Sequence, residues 1–175
     1  DASGNTGSCT SVVTVQDVTQ PVAKCKNIIA NLGVNGTVTV APASVNNGST
    51  DNCSFNLTLL PATFNCGNIG VNTATLKATD AGGNSSTCTA TVTVKDMTAP
   101  TASCKNPTIY LDDNGHATLT VAAMNNGSSD ACGILSLSIN NTAFDCSNIS
   151  GVNYVTLTVK DLYNNTASCI GAVTV

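Results

Sequence analysis

Short stretches in which apolar and polar residues alternate recur along the chain and predict β-strands. In TVTV (37–40) and TATVTV (89–94), Thr alternates with an apolar residue, as expected for strands with one buried and one wet face. Turn residues separate these stretches, as in NGT at Asn35 and DAGGN at Asp80, and such residues tolerate positive φ. In the first half of the chain the predicted strands are 22–32, 37–41, 55–60, 72–79 and 88–95. This pattern is typical of a β-sandwich.

Composition strengthens the all-β prediction and excludes two classes of function. Of the 175 residues, 9% are charged, Arg and Glu are absent, and the formal net charge is −4. A chain with no basic cluster and few aromatic side chains has no electrostatic footprint for nucleic acid. No apolar run approaches the roughly 20 residues needed to span a bilayer. We therefore expect no nucleic-acid partner and no membrane insertion.

Four cysteines recur as a set and define an internal repeat. Cys104, Cys132, Cys146 and Cys169 follow Cys25, Cys53, Cys66 and Cys88 at intervals of 79 to 81 residues, and AKCKN, for example, returns as ASCKN. The predicted domains are therefore 18–96 and 97–175. Cys9 lies 79 residues before Cys88, so 1–17 reads as the last strand and linker of a preceding repeat. We expect the chain to be a piece of a longer tandem array with short, stiff proline linkers.

The nine cysteines predict disulfides and an oxidising compartment, because the close pairs typical of zinc sites are absent. The first and last strands of such a sandwich lie side by side, so the first cysteine of each repeat should bond the fourth. The two middle cysteines would then close a short loop. The expected bonds are Cys25–Cys88, Cys53–Cys66, Cys104–Cys169 and Cys132–Cys146. Cys9 is left for a partner in another repeat or another chain.

A family resemblance is carried by the motifs DxTxPxAxCKN, NNGSxDxC, FxCxN and VTLxxxDxxxNxxxCxxxVTV, which together cover nearly the whole chain. They resemble the hyalin-type, immunoglobulin-like tandem repeats of large cell-surface adhesins from gliding Bacteroidetes. The resemblance implies extracellular, cell-surface sandwiches in a long polypeptide. It fixes no ligand, because such repeats often act as spacers. The second repeat carries Asn164 where the first has Gly83, a small departure because Asn also tolerates the left-handed region.

An Asp–x₃–Asn pair recurs at each predicted turn before a last strand. A cation site is one interpretation, since Asp and Asn oxygens suit calcium. We favour the alternative, in which Asp caps the tight turn by accepting hydrogen bonds from backbone N–H groups. The pairs are Asp1 with Asn5, Asp80 with Asn84, and Asp161 with Asn165.

The linker aspartates are the better calcium candidates. Asp17 and Asp96 lie at the domain junctions, where Asp51 or Asp130 of the adjacent NGSxD loop could join them. Calcium bound there would stiffen the array. No other cofactor is expected.

Candidate catalytic residues are few, and we expect no enzyme activity. Asp112 and Asp113 could form a carboxylate pair, but DDNG is a good turn and the first repeat has Gly33 and Val34 there. His116 is the only histidine, and a catalytic triad would have to lie wholly within the second repeat.

Two functional hypotheses of different kind follow. In the first, the chain is a rigid, disulfide-stabilised spacer in a structural and adhesive array, whose partners are neighbouring repeats and a polysaccharide or abiotic surface. In the second, it is a fibre subunit whose strand 7–15 is added to another chain, with Cys9 locking the joint. A carbohydrate-binding module is a weaker alternative, because such platforms need aromatic side chains and the chain offers Tyr110, Tyr154 and Tyr163.

Overall fold

The computed structural model describes residues 1–175 and consists mainly of β-strands. Two one-turn helices, α1 (Pro42–Val45) and α2 (Val121–Met124), lie at equivalent places in the two repeats. The first repeat contains β1 (Ile28–Asn31), β2 (Thr37–Thr39), β3 (Phe55–Leu60), β4 (Thr63–Asn65), β5 (Gly70–Asp80) and β6 (Ser85–Lys95). The second contains β7 (His116–Thr118), β8 (Ile134–Ile139), β9 (Ala143–Asp145), β10 (Asn153–Asp161) and β11 (Thr166–Val173).

Each repeat packs a larger sheet against a two-stranded ribbon. In the first repeat the sheet order is β1-β6-β5-β3 and the ribbon is β2-β4; in the second they are β11-β10-β8 and β7-β9. β1 runs parallel to β6, and the second repeat keeps this arrangement as a single parallel bridge between Thr108 and Thr174. The first and last segments of each repeat thus lie side by side. The expected fold class, an all-β protein of disulfide-stapled immunoglobulin-like sandwiches, is confirmed.

The core of each sandwich lies between its sheet and its ribbon. Alternate residues of β5, namely Ala74, Leu76 and Ala78, are fully buried, as the two-residue period of a strand requires. Phe64 of the ribbon packs among the buried side chains of the sheet. Eleven buried residues form the first core cluster and five form the second. Cores this small leave much of the stability of each domain to its disulfides.

One predicted strand was wrong, and two short elements were not predicted. The segment 22–32 is not one strand, because Val22 and Cys25 form isolated antiparallel bridges to Thr50 and Asn46 before the chain joins β6 as β1. The segment changes partners, and the alternation of its side chains does not reveal that change. The short strand β4 and the 3₁₀ turn Cys66–Asn68 were not predicted, since three-residue elements carry too little periodicity.

The disulfides require one correction. Cys25–Cys88 and Cys104–Cys169 are formed, each with Cα atoms 5.8 Å apart. The expected bonds Cys53–Cys66 and Cys132–Cys146 are not. Cys66 instead bonds Cys132 of the other repeat, because the 3₁₀ turn that carries Cys66 faces the loop of the next repeat. Cys53, Cys146 and Cys9 are free and exposed.

The N-terminal segment has no strand partner. Residues 5–20 pair with no other segment, and Val12, Val13 and Val15 are exposed. Elsewhere, none of the helices is both long enough and apolar enough to cross a bilayer.

Removing the tie between the first and last strands should destabilise the first repeat strongly. The Cys25–Cys88 bond closes a loop with a sequence separation of 63 residues, a constraint on the unfolded chain that contributes about 4 kcal/mol. We expect the double change Cys25→Ala and Cys88→Ala to lower the free energy of unfolding by about that amount in urea titrations. Cys9→Ala is the matched control, since that thiol is free. Equal stability of the double variant and the parent would contradict the prediction.

Candidate metal centre and the junction between repeats

A loop and a linker are held together at the start of each repeat. Val22 and Thr50 exchange two backbone hydrogen bonds of 2.7 and 3.1 Å, and Thr101 and Ser129 exchange two of 2.8 and 3.0 Å. The loop itself is closed by Asn46, whose Oδ1 accepts hydrogen bonds from the N–H and hydroxyl of Ser49. These bonds bring the loop aspartate next to the linker aspartate.

The turn after β5 approaches the same place. Asn84 Nδ2 donates to the backbone oxygen of Asp17 at 2.9 Å and to Asp80 Oδ2 at 2.8 Å, which ties the turn to the linker. A Cβ at Gly82 would lie 2.8 Å from the Asp17 backbone oxygen, so glycine permits this close approach. The carboxylates of Asp17, Asp51 and Asp80 consequently converge, with ligand atoms all within 4.8 Å of one another.

The second repeat contains a looser version of this cluster. Asp96 and Asp130 converge in the same way, but the third member within 4.8 Å is Cys132 rather than Asp161. Tyr163 stands at the position of Gly82, and the bond from Asn165 Nδ2 to the Asp96 backbone oxygen lengthens to 3.4 Å. The larger side chain is accompanied by a longer contact between turn and linker. The first cluster is therefore the richer in carboxylates.

Several oxygens in these clusters have no hydrogen-bond donor. Asp17 Oδ2, Asp51 Oδ1 and Asp96 Oδ2 are each buried without a partner, and the Asp96 side chain is only 8% exposed. Buried polar atoms are rarely left unpaired, and an unpaired charged one is costly. Carboxylate oxygens that face each other and lack donors suit a hard divalent cation such as calcium. The donor set therefore fits the metal that the sequence suggested.

The thiol of Cys53 and the Asp17 carboxylate of the first cluster shift each other's pKa. Interaction with the Asp17 carboxylate, which attracts the thiol proton and opposes the charge of a thiolate, raises the pKa of Cys53. The hydrogen bond from the Thr19 N–H, with a smaller contribution from the Cys53 thiol, lowers the pKa of Asp17. A thiol is a weak donor, so it compensates the Asp17 carboxylate poorly.

The covalent contact between repeats adjoins the second cluster. Cys66 Sγ, bonded to Cys132, lies 3.6 Å from the oxygen of Gly36 and 3.5 Å from that of Ala131. Cys132 also packs against the core cluster of the first repeat. The linker adds a bond of 3.3 Å from Thr98 Oγ1 to the Leu32 oxygen. The two repeats are thus joined by a peptide linker, a disulfide and side-chain packing.

The Asp–x₃–Asn pairs form capped turns, the interpretation that the sequence favours over a cation site. Oδ1 of Asp80 accepts the N–H of Asn84 at 2.8 Å, and Oδ1 of Asp161 accepts that of Asn165 at 2.8 Å. Asp1 caps Asn5 in the same manner. Asn164 has a φ of 73°, the left-handed conformation expected where the first repeat has glycine.

The acidic turn of the second repeat is also a capped turn. Asp112 Oδ1 accepts hydrogen bonds of 2.9 Å from the N–H groups of Asn114 and His116. The bond from the His116 N–H, with a smaller contribution from that of Asn114, lowers the pKa of Asp112. This carboxylate is therefore engaged in closing the turn. Asp113 is exposed beside it.

The three tyrosines do not form one platform. Tyr110 and Tyr154 are exposed, but Tyr154 lies near the start of β10 and Tyr163 beyond its end. The seven steps of extended strand from Tyr154 to Asp161, the last residue of β10, span roughly 23 Å. A sugar-binding surface built from all three side chains is not supported by this arrangement.

The sequence reasoning missed two features of the site. It placed Asp80 in a cap and not also in the acidic cluster, because the approach of the turn to the linker is seen only in the contacts of Asn84 and Gly82 with Asp17. It also missed the bond between Cys66 and Cys132. The sequence carries no signal for that bond, because pairing within one repeat uses the same cysteine positions.

No protein-family model and no curated protein matches the chain. Among solved structures it is similar to Drosophila N-cadherin EC1-4, with 14% identity and a TM-score of 0.41 over 89% of this chain and 49% of that chain. It is similar to human mucin-like protocadherin EC1-2, with 13% identity and a TM-score of 0.39 over 88% and 97% of the two chains. It is also similar to the Ig1-2 module of the Drosophila receptor protein tyrosine phosphatase DLAR, with 11% identity and a TM-score of 0.23 over 88% of this chain and 96% of that chain.

These neighbours are cadherin and immunoglobulin-like domains, and the chain spans about half the length of the N-cadherin structure. Identities and TM-scores this low transfer no function, ligand or partner. None of the matches points specifically to hyalin-type adhesins of Bacteroidetes, so that resemblance stays a hypothesis.

Replacing Asp17 should make the Cys53 thiol more acidic. In the parent protein, the Asp17 carboxylate raises the pKa of Cys53, so Asp17→Asn should shift the pH midpoint of Cys53 alkylation downward. Rates of iodoacetamide labelling at Cys53, followed by peptide mass spectrometry in chelator, measure the midpoint. Asp113→Asn, in the exposed turn of the other repeat, is the control and should leave it unchanged. An unaltered midpoint in Asp17→Asn would show that the carboxylate does not act on the thiol.

Proposed function

We propose that this chain is a structural and adhesive segment of an extracellular surface protein, in which disulfide-stabilised sandwiches act as a rigid spacer. The observation that carries the proposal is the Cys66–Cys132 bond between the two repeats. A bond at that place limits bending about the linker, a property that a spacer needs and an isolated binding domain does not. Three disulfides also favour an oxidising, extracellular compartment. The hyalin-type resemblance favours a bacterial cell surface.

The Cys66–Cys132 bond should make the two repeats tumble as one body. Nitrogen-15 relaxation is expected to give one rotational correlation time for both repeats in the parent. Cys66→Ala combined with Cys132→Ala should give two shorter times, because the linker alone would then join the repeats. Cys53→Ala combined with Cys146→Ala is the matched control, since both thiols are free. Two independent correlation times in the oxidised parent would contradict a rigid spacer.

Calcium is proposed as a second source of rigidity. The carboxylates of Asp17, Asp51 and Asp80 lie within 4.8 Å of one another, and like charges at such distances repel. A divalent cation would replace this repulsion with attraction and would connect linker, loop and turn. Asp96 and Asp130 offer a weaker site of the same kind at the second repeat, because Asp161 does not join them within 4.8 Å.

Calcium should raise the melting temperature through these carboxylates. For a Kd of about 10⁻⁴ M, typical of extracellular modules, a hundredfold excess adds about 2.7 kcal/mol to the free energy of unfolding. Asp51→Asn should lose most of the calcium-dependent shift and, in chelator, should melt higher than the parent because one repulsive charge is removed. Asp130→Asn should lose less, and Asp113→Asn should lose nothing.

Calorimetry in chelator and in about 10 mM calcium measures these shifts at a concentration chosen from the affinity range above. Magnesium is the ionic control, since it demands near-octahedral geometry and dehydrates reluctantly. Equal melting of the parent in chelator and in calcium would end the calcium proposal. It would leave the disulfide spacer intact.

A fibre subunit is the second candidate function. It is favoured by the unpaired segment 5–20, whose valines are exposed as in a strand awaiting a sheet. It is disfavoured by the second repeat, where β11 already pairs with β10. The mass of the native polypeptide with and without reductant separates the two. A ladder that collapses to this chain length on reduction supports the fibre, whereas a single, much heavier reduced chain supports the tandem array.

A further inference from the structure

Cys146 occupies the same local structure as Cys66, without a partner. Each cysteine begins a three-residue 3₁₀ turn, and an equivalent side-chain hydrogen bond closes each turn. Asn65 Oδ1 accepts the Gly67 N–H at 2.9 Å, and Asp145 Oδ1 accepts the Ser147 N–H at 2.8 Å. Because the turn is fixed by its own hydrogen bonds, the thiol is positioned before any partner arrives.

The surroundings of the two sulfurs also match. Cys66 Sγ lies 3.6 Å from the Gly36 oxygen, and Cys146 Sγ lies 3.8 Å from the Gly115 oxygen. A Cβ at Gly36 would lie 2.8 Å from Cys66 Sγ, and one at Gly115 would lie 2.9 Å from Cys146 Sγ. The same added Cβ at Gly36 would lie 3.1 Å from the Cβ of Ala131 in the next repeat. Beside Gly115 no such neighbour is present.

Cys53 is the complementary half. It stands at the position of Cys132, and both N–H groups donate to the preceding loop aspartate: Cys53 to Asp51 Oδ2 at 3.3 Å, and Cys132 to Asp130 Oδ1 at 2.7 Å. Cys132 is half-buried in the junction, whereas Cys53 is exposed. Each repeat therefore carries both kinds of junction cysteine. Cys53 and Cys132 are of the kind that faces a preceding repeat, and Cys66 and Cys146 are of the kind that faces a following one.

We propose that Cys146 and Cys53 are docking thiols for further repeats of this type. Cys146 would bond the NGSxDxC cysteine of a following repeat, and Cys53 the FxC cysteine of a preceding one. The inference deepens the proposed spacer and rests on it, because it takes the Cys66–Cys132 junction as a unit that recurs. In forming each bond, two thiols lose two protons and two electrons. A disulfide oxidant such as oxidised glutathione accepts them and leaves as two thiols.

The sequence itself provides the extension that tests Cys146. Val175 corresponds to Val94, so a second copy of residues 95–175 placed after Val175 continues the chain with its own natural linker. In the added copy, Cys146→Ser removes the competing bond within that copy, and Ser136→Ala marks its peptides by mass. Cleavage before aspartate separates Cys132, in 130–144, from Cys146, in 145–160. The protein is refolded in a glutathione redox buffer and mapped without reduction.

The expected result is a bond between Cys146 and the mass-marked Cys132 of the added copy, with Cys66–Cys132 retained. Free-thiol labelling should then find Cys9 and Cys53 alone. The Cys104–Cys169 bond within the added copy reports that it has folded. As the matched control, Cys132→Ser in the added copy should leave Cys146 fully labelled.

Two negative outcomes have different meanings. A free Cys146 beside a folded added copy, with Cys66–Cys132 intact, would overturn the docking proposal and leave the spacer standing. An unmarked Cys132–Cys146 bond with Cys66 reduced would overturn the junction itself, and with it the proposed function.

The other end is tested by placing residues 18–79 before Asp1. Residues 1–17 correspond to 80–96, so this addition completes a preceding repeat that uses 1–17 as its last strand and linker. With Cys53→Ser in the added segment, its Cys66 should bond Cys53 of the original chain, and its Cys25 should bond Cys9. Formation of the Cys9 bond while Cys53 stays reduced would overturn the proposal at this end, since the added repeat would then be folded but not docked through its thiol.

Discussion

The covalent tie between the first and last strands of each sandwich is the constraint on which the rest of the structure depends. The core clusters contain eleven and five buried residues, and aromatic side chains are few, so hydrophobic burial alone leaves domains of this size marginal. Cys25–Cys88 and Cys104–Cys169 link the ends of each repeat. Because the ends are held together, the linker leaves each sandwich at a defined place, and the next repeat begins there.

The acidic clusters lie where each linker meets the repeat that follows it. Asp17 follows directly on the segment that matches a last strand, and the bridge between Val22 and Thr50 sets the loop aspartate against it. The turn carboxylate of Asp80 arrives because Gly82 allows the turn to approach the linker. Tyr163 in the second repeat replaces that glycine, and the cluster there has one carboxylate fewer within 4.8 Å. The turn residues 81–83 and 162–164 thus differ between two sites that the motifs alone make equivalent.

The sequence predicted features that are local or periodic. Alternating Thr and Val identified β2 and β6 within a few residues, and the Asp–x₃–Asn pairs identified capped turns. The repeat identified equivalent cysteines, and the adjacency of first and last strands identified two of the bonds. The partner of Cys66 could not be identified in this way, because a bond within a repeat and a bond between repeats place cysteines at the same sequence positions. The two are separated only by the structure, in which Cys66, the first residue of the 3₁₀ turn Cys66–Asn68, lies against Ala131 of the next repeat.

The bond between repeats differs in symmetry from the bonds within them. A first-to-last-strand disulfide uses up both cysteines of one domain, so it closes on itself. The junction bond joins different positions on its two sides, Cys66 on one and Cys132 on the other, and is therefore heterologous. A heterologous contact leaves one unused half at each end of the joined pair, here Cys53 and Cys146, and further copies can be added there. In these two repeats, one kind of disulfide stabilises each sandwich and the other kind joins one sandwich to the next.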